Sequence, residues 1–213
     1  MKTVTKYLLI SLISLGSWSL HGQDLHYTQF HEMPVYLNPA YTGHINGTYR
    51  AVLIYRSQWS SIVPNAFVSP GLSFDANIAV GKGGSSFGVG LLALNDQTGN
   101  GVFNAVHGAL SVAYHLALDR NQQHFLSIGG QGGLINKRLN TSDITFASQF
   151  DGFEINPNVA TGETFGSTSV MNPDLGAGLT WSSYFGNKFN FKLGGAFLHL
   201  IEAKEEFLSL IHI

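Results

Sequence analysis

"GVFNAVHGALSVAYHLALD", Gly101–Asp119, alternates with a period of two over nearly its whole length. Val102, Val106, Leu110, Val112, Tyr114, Leu116 and Leu118 fall on one side, and Ala105, His107, Ala109, Ser111, Ala113, His115 and Ala117 on the other. Side chains of a strand point alternately to opposite faces, whereas a 3.6-residue period would scatter these leucines and histidines around every side of a helix. The stretch is therefore a strand with one lipid-like face and one polar or tightly packed face.

Runs of similar length flank it, separated by turn chemistry. Strands are expected at Gly47–Trp59, Ala66–Val80, Ser85–Leu94, Gly101–Asp119, His124–Leu139, Asp174–Phe185 and Lys188–Leu200. In His124–Leu139 the alternation puts Gln131 and Lys137 inward with Gly129 and Gly133, whose missing side chains leave room for a plug or for sharp curvature. Short connections at Gly81–Gly84, Asp119–Gln123 and Gly186–Lys188 contrast with the long polar stretch Asn140–Asn172. Short turns on one side and long loops on the other are the habit of an up-and-down transmembrane barrel.

Composition supports that class. Only 11% of the 213 residues are charged and 44% are apolar, a membrane-like balance against roughly 25% charged residues in soluble domains. Beyond the N-terminus, no run reaches the roughly 18 uninterrupted apolar residues of a spanning helix. A closed β-barrel is the other way to satisfy the backbone in lipid, and the 25 glycines and 12% aromatic content suit it. A net charge of -2 provides no basic field for nucleic acid, and the absence of cysteine excludes disulfides, thiolate metal sites and a thiol nucleophile. At the N-terminus, Lys2 and Lys6 precede an apolar stretch, Tyr7–Leu20, with a cleavage point expected between Gly22 and Gln23. This is the pattern of an export signal, residues 1–22.

Polar residues at inward positions are the candidate lumen. Arg50 and Arg56 share a face of the first strand with Val52 and Ile54, opposite Tyr49, Leu53 and Tyr55. A charge facing lipid is costly, so both arginines are expected to point inward toward an acidic or carbonyl partner. His107, His115, Gln131 and Lys137 join them as lumen-facing residues. Among the nine histidines no ligand array stands out, and His107 and His115, eight residues apart, would sit about 26 Å apart at about 3.3 Å per residue. No metal and no cofactor is therefore expected. His26, His31 and His44 read as solvated or loop residues. "GKGGSSFGVG", Gly81–Gly90, lacks the order and context of a phosphate loop and reads as a hairpin. No spacing selects a nucleophile with its base, so no catalytic residue and no enzymatic activity is assigned.

One further string is distinctive. Between the signal and the first strand stand "YTQF", "YLNPAYTG" and then "YRSQW", comprising Tyr27, Gln29, Phe30, Tyr36, Leu37, Asn38, Pro39, Ala40, Tyr41, Gly43, Tyr55, Arg56, Gln58 and Trp59. This string resembles the PorP/SprF family of the type IX secretion system. The resemblance implies an outer-membrane barrel of the Bacteroidota, non-enzymatic, working beside the secretion and gliding machinery. Its implied partners are machinery subunits, outer-membrane lipid and an exported surface protein such as an adhesin with a type B C-terminal sorting domain. A passive porin or solute-uptake barrel is the alternative. Asn38-Pro39 fixes a turn, Gly43 and Gly47 permit a corner, and the aromatics are placed to lock residues 23–46 to the first strand as a docking or plug element.

Residues 47–206 are expected to be a partial antiparallel barrel, because transmembrane barrels need at least about eight strands. Seven strands therefore suggest the N-terminal fragment of a longer protein. "LSLIHI", Leu208–Ile213, resembles translated sequencing adapter, so residues 207–213 are read as a non-native tail.

Overall fold

The computed structural model describes residues 27–62, 66–80, 83–99, 101–140, 144, 147–150, 152–156, 158–159, 168–185 and 189–201. The signal at 1–22 and the tail at 207–213 lie outside the described residues, as does much of the long connection before residue 168.

Seven strands form one antiparallel sheet in sequence order: β1 Tyr49–Gln58, β2 Phe67–Ala79, β3 Ser86–Thr98, β4 Phe103–Ala117, β5 His124–Leu139, β6 Ser169–Phe185 and β7 Phe189–Phe197. The architecture is an all-β half-barrel, and no helix of the described residues is long and apolar enough to cross a membrane. The period-two stretch is β4 as expected, with Ala109, Ser111, Ala113 and His115 buried and Val106, Leu110, Val112 and Leu116 exposed. The ten steps from Val106 to Leu116 at about 3.3 Å each, tilted by about 40°, span roughly 25 Å, the height of a barrel's apolar band.

Around the short-turn rim of the convex face, aromatic rings meet in pairs: Tyr49 stacks on Phe74, Trp181 meets Phe191 edge to face, and Phe87 with Tyr114 and Phe185 with Phe189 are tilted. At the other rim Trp59 meets Phe67 edge to face. Such girdles suit the two interfaces of a bilayer.

Two strands are longer than the sequence suggested. β6 begins at Ser169 rather than Asp174, because Pro173 occupies an outward position and pairs with Leu134 in register. β3 runs on through Asn95, Asp96, Gln97 and Thr98, whose polarity on both faces hid them. The Asp119 turn is pinned by its own carboxylate, which accepts from the backbone N–H groups of Asn121, Gln123 and His124 at 3.1, 2.9 and 2.8 Å.

The segment before β1 packs on the concave face through two single turns, Pro34–Leu37 and Pro39–Tyr41, preceded by an exposed turn, Phe30–Glu32, that rests on the first of them. Its apolar contribution is a small core in which Tyr27 and Met33 meet Leu92, Leu94 and Ala109, flanked by Tyr36, Val52 and Ile54.

Candidate functional site

The site is the seat of Asn38–His44 on the concave face. Strand register lines up Gly88, Ala113, Gly129, Gly178 and Ala196 as one row across β3 to β7. The row is a floor with almost no side chains, and the backbone of the N-terminal segment lies directly on it. A Cβ added at Gly88 would stand 1.8 Å from the Thr42 carbonyl oxygen, at Gly129 2.4 Å from the Pro39 carbonyl carbon, and at Gly178 1.9 Å from Asn38 Oδ1. None of these separations is sterically tenable, so each glycine is required by the docked segment. Gly133 differs: a Cβ there would meet the Gly108 carbonyl at 2.3 Å, so it serves close strand approach rather than the segment.

Hydrogen bonds then fix the register. Asn38 caps the turn with Oδ1, accepting from the Ala40 N–H at 2.8 Å, while its Nδ2 donates to the Gly195 carbonyl at 3.1 Å and, more weakly, to that of Leu179 at 3.4 Å. Thr42 Oγ1 pairs with Ser111 Oγ at 2.5 Å. Its carbonyl accepts from His115 Nε2 at 2.8 Å, which places the neutral imidazole's proton on Nε2 and leaves Nδ1 to accept from the Ser127 hydroxyl at 2.8 Å. Gly43, at φ +72°, makes a left-handed corner that disfavours any side chain. There its N–H donates to Asp75 Oδ2 at 2.7 Å, and Asn77 Nδ2 donates to its carbonyl at 2.7 Å.

Asp75 is the electrostatic centre. It is fully buried, and Arg50 grips it with Nε at 2.9 Å and a terminal nitrogen at 2.6 Å, while that nitrogen also donates to the Tyr41 carbonyl at 3.3 Å. Arg50 thus has the acidic and the carbonyl partner expected of it. A bidentate pair with a third donor on the carboxylate is the geometry in which a buried charge is tolerated.

A family model described as type IX secretion system membrane protein PorP/SprF matches residues 19–208. The chain belongs to the PorP/SprF family. It is accordingly a membrane component of the type IX secretion system. No curated protein and no solved structure matches.

With the PorP/SprF family in view, the distinctive string divides into three places. Asn38, Pro39, Ala40 and Gly43 are buried in the seat, with Leu37 and Tyr41 half-buried beside them. Tyr27 and Tyr36 meet edge to face with centroids 6.1 Å apart in the small core, while Gln29 and Phe30 are exposed. Burial raises the Tyr27 pKa to about 12, and its hydroxyl has no hydrogen-bond partner among the described residues. Tyr55 stands on the convex face, 67% exposed, Trp59 is 65% exposed just past the end of β1 with its ring against Phe67, and Arg56 turns inward to donate to Gln58 Oε1. The aromatics of the segment do pack against Val52 and Ile54 of β1. Its hydrogen-bonded turn, however, is held across β2 to β7, with the first strand contributing Arg50 to the Tyr41 carbonyl, and it lies over β3 to β7 where register gathers the small residues.

The inward candidates all lie on the concave face. His115 and Gln131 are buried, and Arg50, Arg56, His107 and Lys137 are half-buried. They serve separate clusters: His115 holds Thr42, whereas His107 Nε2 lies 3.1 Å from buried Asp174, which also meets His199 Nδ1 at 2.8 Å. His44 is not a solvated loop residue. It is half-buried, reaches Tyr184 Oη at 3.0 Å and packs on the rings of His115 and Phe125. Burial first, then the nearby His115, Lys192 and Arg50 charges, lower its pKa to about 4. The sequence alone singled out neither Thr42 nor Asp75, and of the glycine floor only Gly129, read as leaving room for a plug. Asp75 had a usable signal, being an acid at an inward position of β2 when two inward arginines of β1 needed partners.

Proposed function

We propose that this chain is a non-enzymatic outer-membrane component of the secretion system that docks exported surface proteins, such as those with a type B C-terminal sorting domain. In this reading Tyr27–Asn46 is a built-in plug rather than passing chain. The carrying observation is the occupied concave face: the segment is held there by a buried ion pair, a glycine floor and reciprocal hydrogen bonds. A passive porin keeps its lumen open to water, so a polar interior filled by the protein's own backbone favours a binding role over conduction. The short-turn rim, from which β1 rises, is then the periplasmic side.

The test is to solubilise the outer membrane of a strain carrying a tagged copy and identify what co-purifies by mass spectrometry. Machinery subunits or a large surface protein are the expected result. A barrel recovered alone that conducts ions freely in planar bilayers would instead favour the porin reading.

A further inference from the structure

Beside the seat, at the short-turn end, the concave face leaves a cleft of about 610 Å³ between the N-terminal segment, the ends of β2, β4 and β5, and β7. Its polar lining includes Lys192, Tyr184, Asn46, Asn77 and Gln122, and Phe125 supplies an apolar wall. Among the described residues no acid lines it. Lys192 sits at an inward position of β7, opposite Ser182 in the register, and has no hydrogen-bond or ion-pair partner among the described residues. Ser182 is itself fully buried with an unpartnered hydroxyl. The acid one inward step beyond Asn77 along β2, Asp75, offers no relief, since Arg50 and the Gly43 N–H already occupy both its oxygens. Among its described residues the cleft therefore carries one unneutralised ammonium, that of Lys192, amid hydrogen-bonding groups without formal charge.

We propose that this cleft binds a carboxylate, with Lys192 as counter-ion, neutral donors of the lining on its oxygens and Phe125 against the body that carries it. A single ammonium matches a singly charged carboxylate. A phosphate dianion is usually gripped by several cations or a nest of backbone amides, and the cleft's neighbouring arginine fork, that of Arg50, is already committed to Asp75. The carboxylate can arrive as a small organic acid or as the terminus of a peptide entering from the short-turn side. The proposal concerns the cleft alone and stands whether or not the barrel docks surface proteins.

Calorimetric titration of the full chain in detergent decides it. The probes are benzoate against benzamide, and N-acetyl-Ala-Ala-Phe with a free against an amidated terminus, with inorganic phosphate as competitor. The free acids should bind at least about tenfold more tightly than the amides, a preference lost in Lys192→Met and kept in Lys192→Arg. Binding of benzoate itself assigns a small-acid site, and binding of the tripeptide acid alone assigns a chain-terminus site. Equal affinity for acids and amides, undiminished acid binding in Lys192→Met, or displacement of the acids by equimolar phosphate would overturn the proposal. Should Lys192→Met fail to fold, the acid-to-amide ratio of the unsubstituted chain and of Lys192→Arg still decides the matter.

Discussion

The two faces of this one sheet obey different rules. On the convex face Leu53, Leu110, Val112 and Leu179 are all more than half exposed to the surroundings and need only be apolar and strand-compatible. On the concave face Gly88, Gly129 and Gly178 admit no Cβ, and Asp75, Ser111 and His115 each hold a specific backbone or side-chain atom of Thr42, Gly43 or Arg50. The outer face is specified by class of residue, the inner by identity. A bilayer asks only for hydrophobicity, whereas a docked polar segment must have each buried donor and acceptor matched.

The contrast is most severely tested at Gly178. Gly178→Val should drive Asn38 off the floor and release the segment. Two or three buried hydrogen bonds at about 1–3 kcal/mol each imply at least about a thirtyfold gain in reactivity of a thiol placed in the segment. Next comes Asp75→Ala, which strands the half-buried Arg50 guanidinium and the Gly43 N–H. A loss of about 3–5 kcal/mol is expected in denaturant midpoint measurements. On the outer face Leu110→Arg should cost about 2–4 kcal/mol of membrane stability in the same assay while leaving the segment docked. An undocked segment in that variant would break the separation of the faces.

A smaller effect comes from acid. His44 has its pKa lowered from 6.5 to about 4 by burial, so the undocked segment binds more protons between those values. Docking is fully supported above about pH 6.5 and weakens as pH falls toward 4. Thiol reactivity in the segment, followed with a dithiodipyridine reagent that works in acid, should rise across that window, and His44→Gln should flatten the rise. Smallest of all, Val112→Leu on the convex face should shift stability by less than about 0.5 kcal/mol.

The same division explains what was legible in the sequence. Parity along a strand is a local property, so the bounds of β5 and the faces of β4 followed from alternation, which set His107, His115, Gln131 and Lys137 inward, while Arg50 and Arg56 needed in addition the cost of a charge facing lipid. The partners did not, because Asn38 reaches Gly195 across 157 residues and Thr42 reaches Ser111 across 69. Those contacts exist only once register has been set across several strands. Of the glycine floor, alternation marked only Gly129 as an inward position with room for a plug; Gly88 and Gly178 look like ordinary strand glycines until pairing places all three in one row. Where local polarity misled, as at Pro173 and at Asn95–Thr98, the sheet extended a strand past residues that no local signal marks as strand.

The central claim is that Asn38–Gly43 is seated in the barrel interior. The chain has no cysteine, so Thr42→Cys introduces a sole, nearly isosteric thiol at a fully buried position, and Ser60→Cys provides an exposed control. Their alkylation rates should be compared on the full chain in intact outer membranes. The seated segment predicts a thiol at position 42 that reacts at least about a hundredfold more slowly than the control and is released by Gly178→Val. Equal rates at the two positions, unaltered by that substitution, would contradict it.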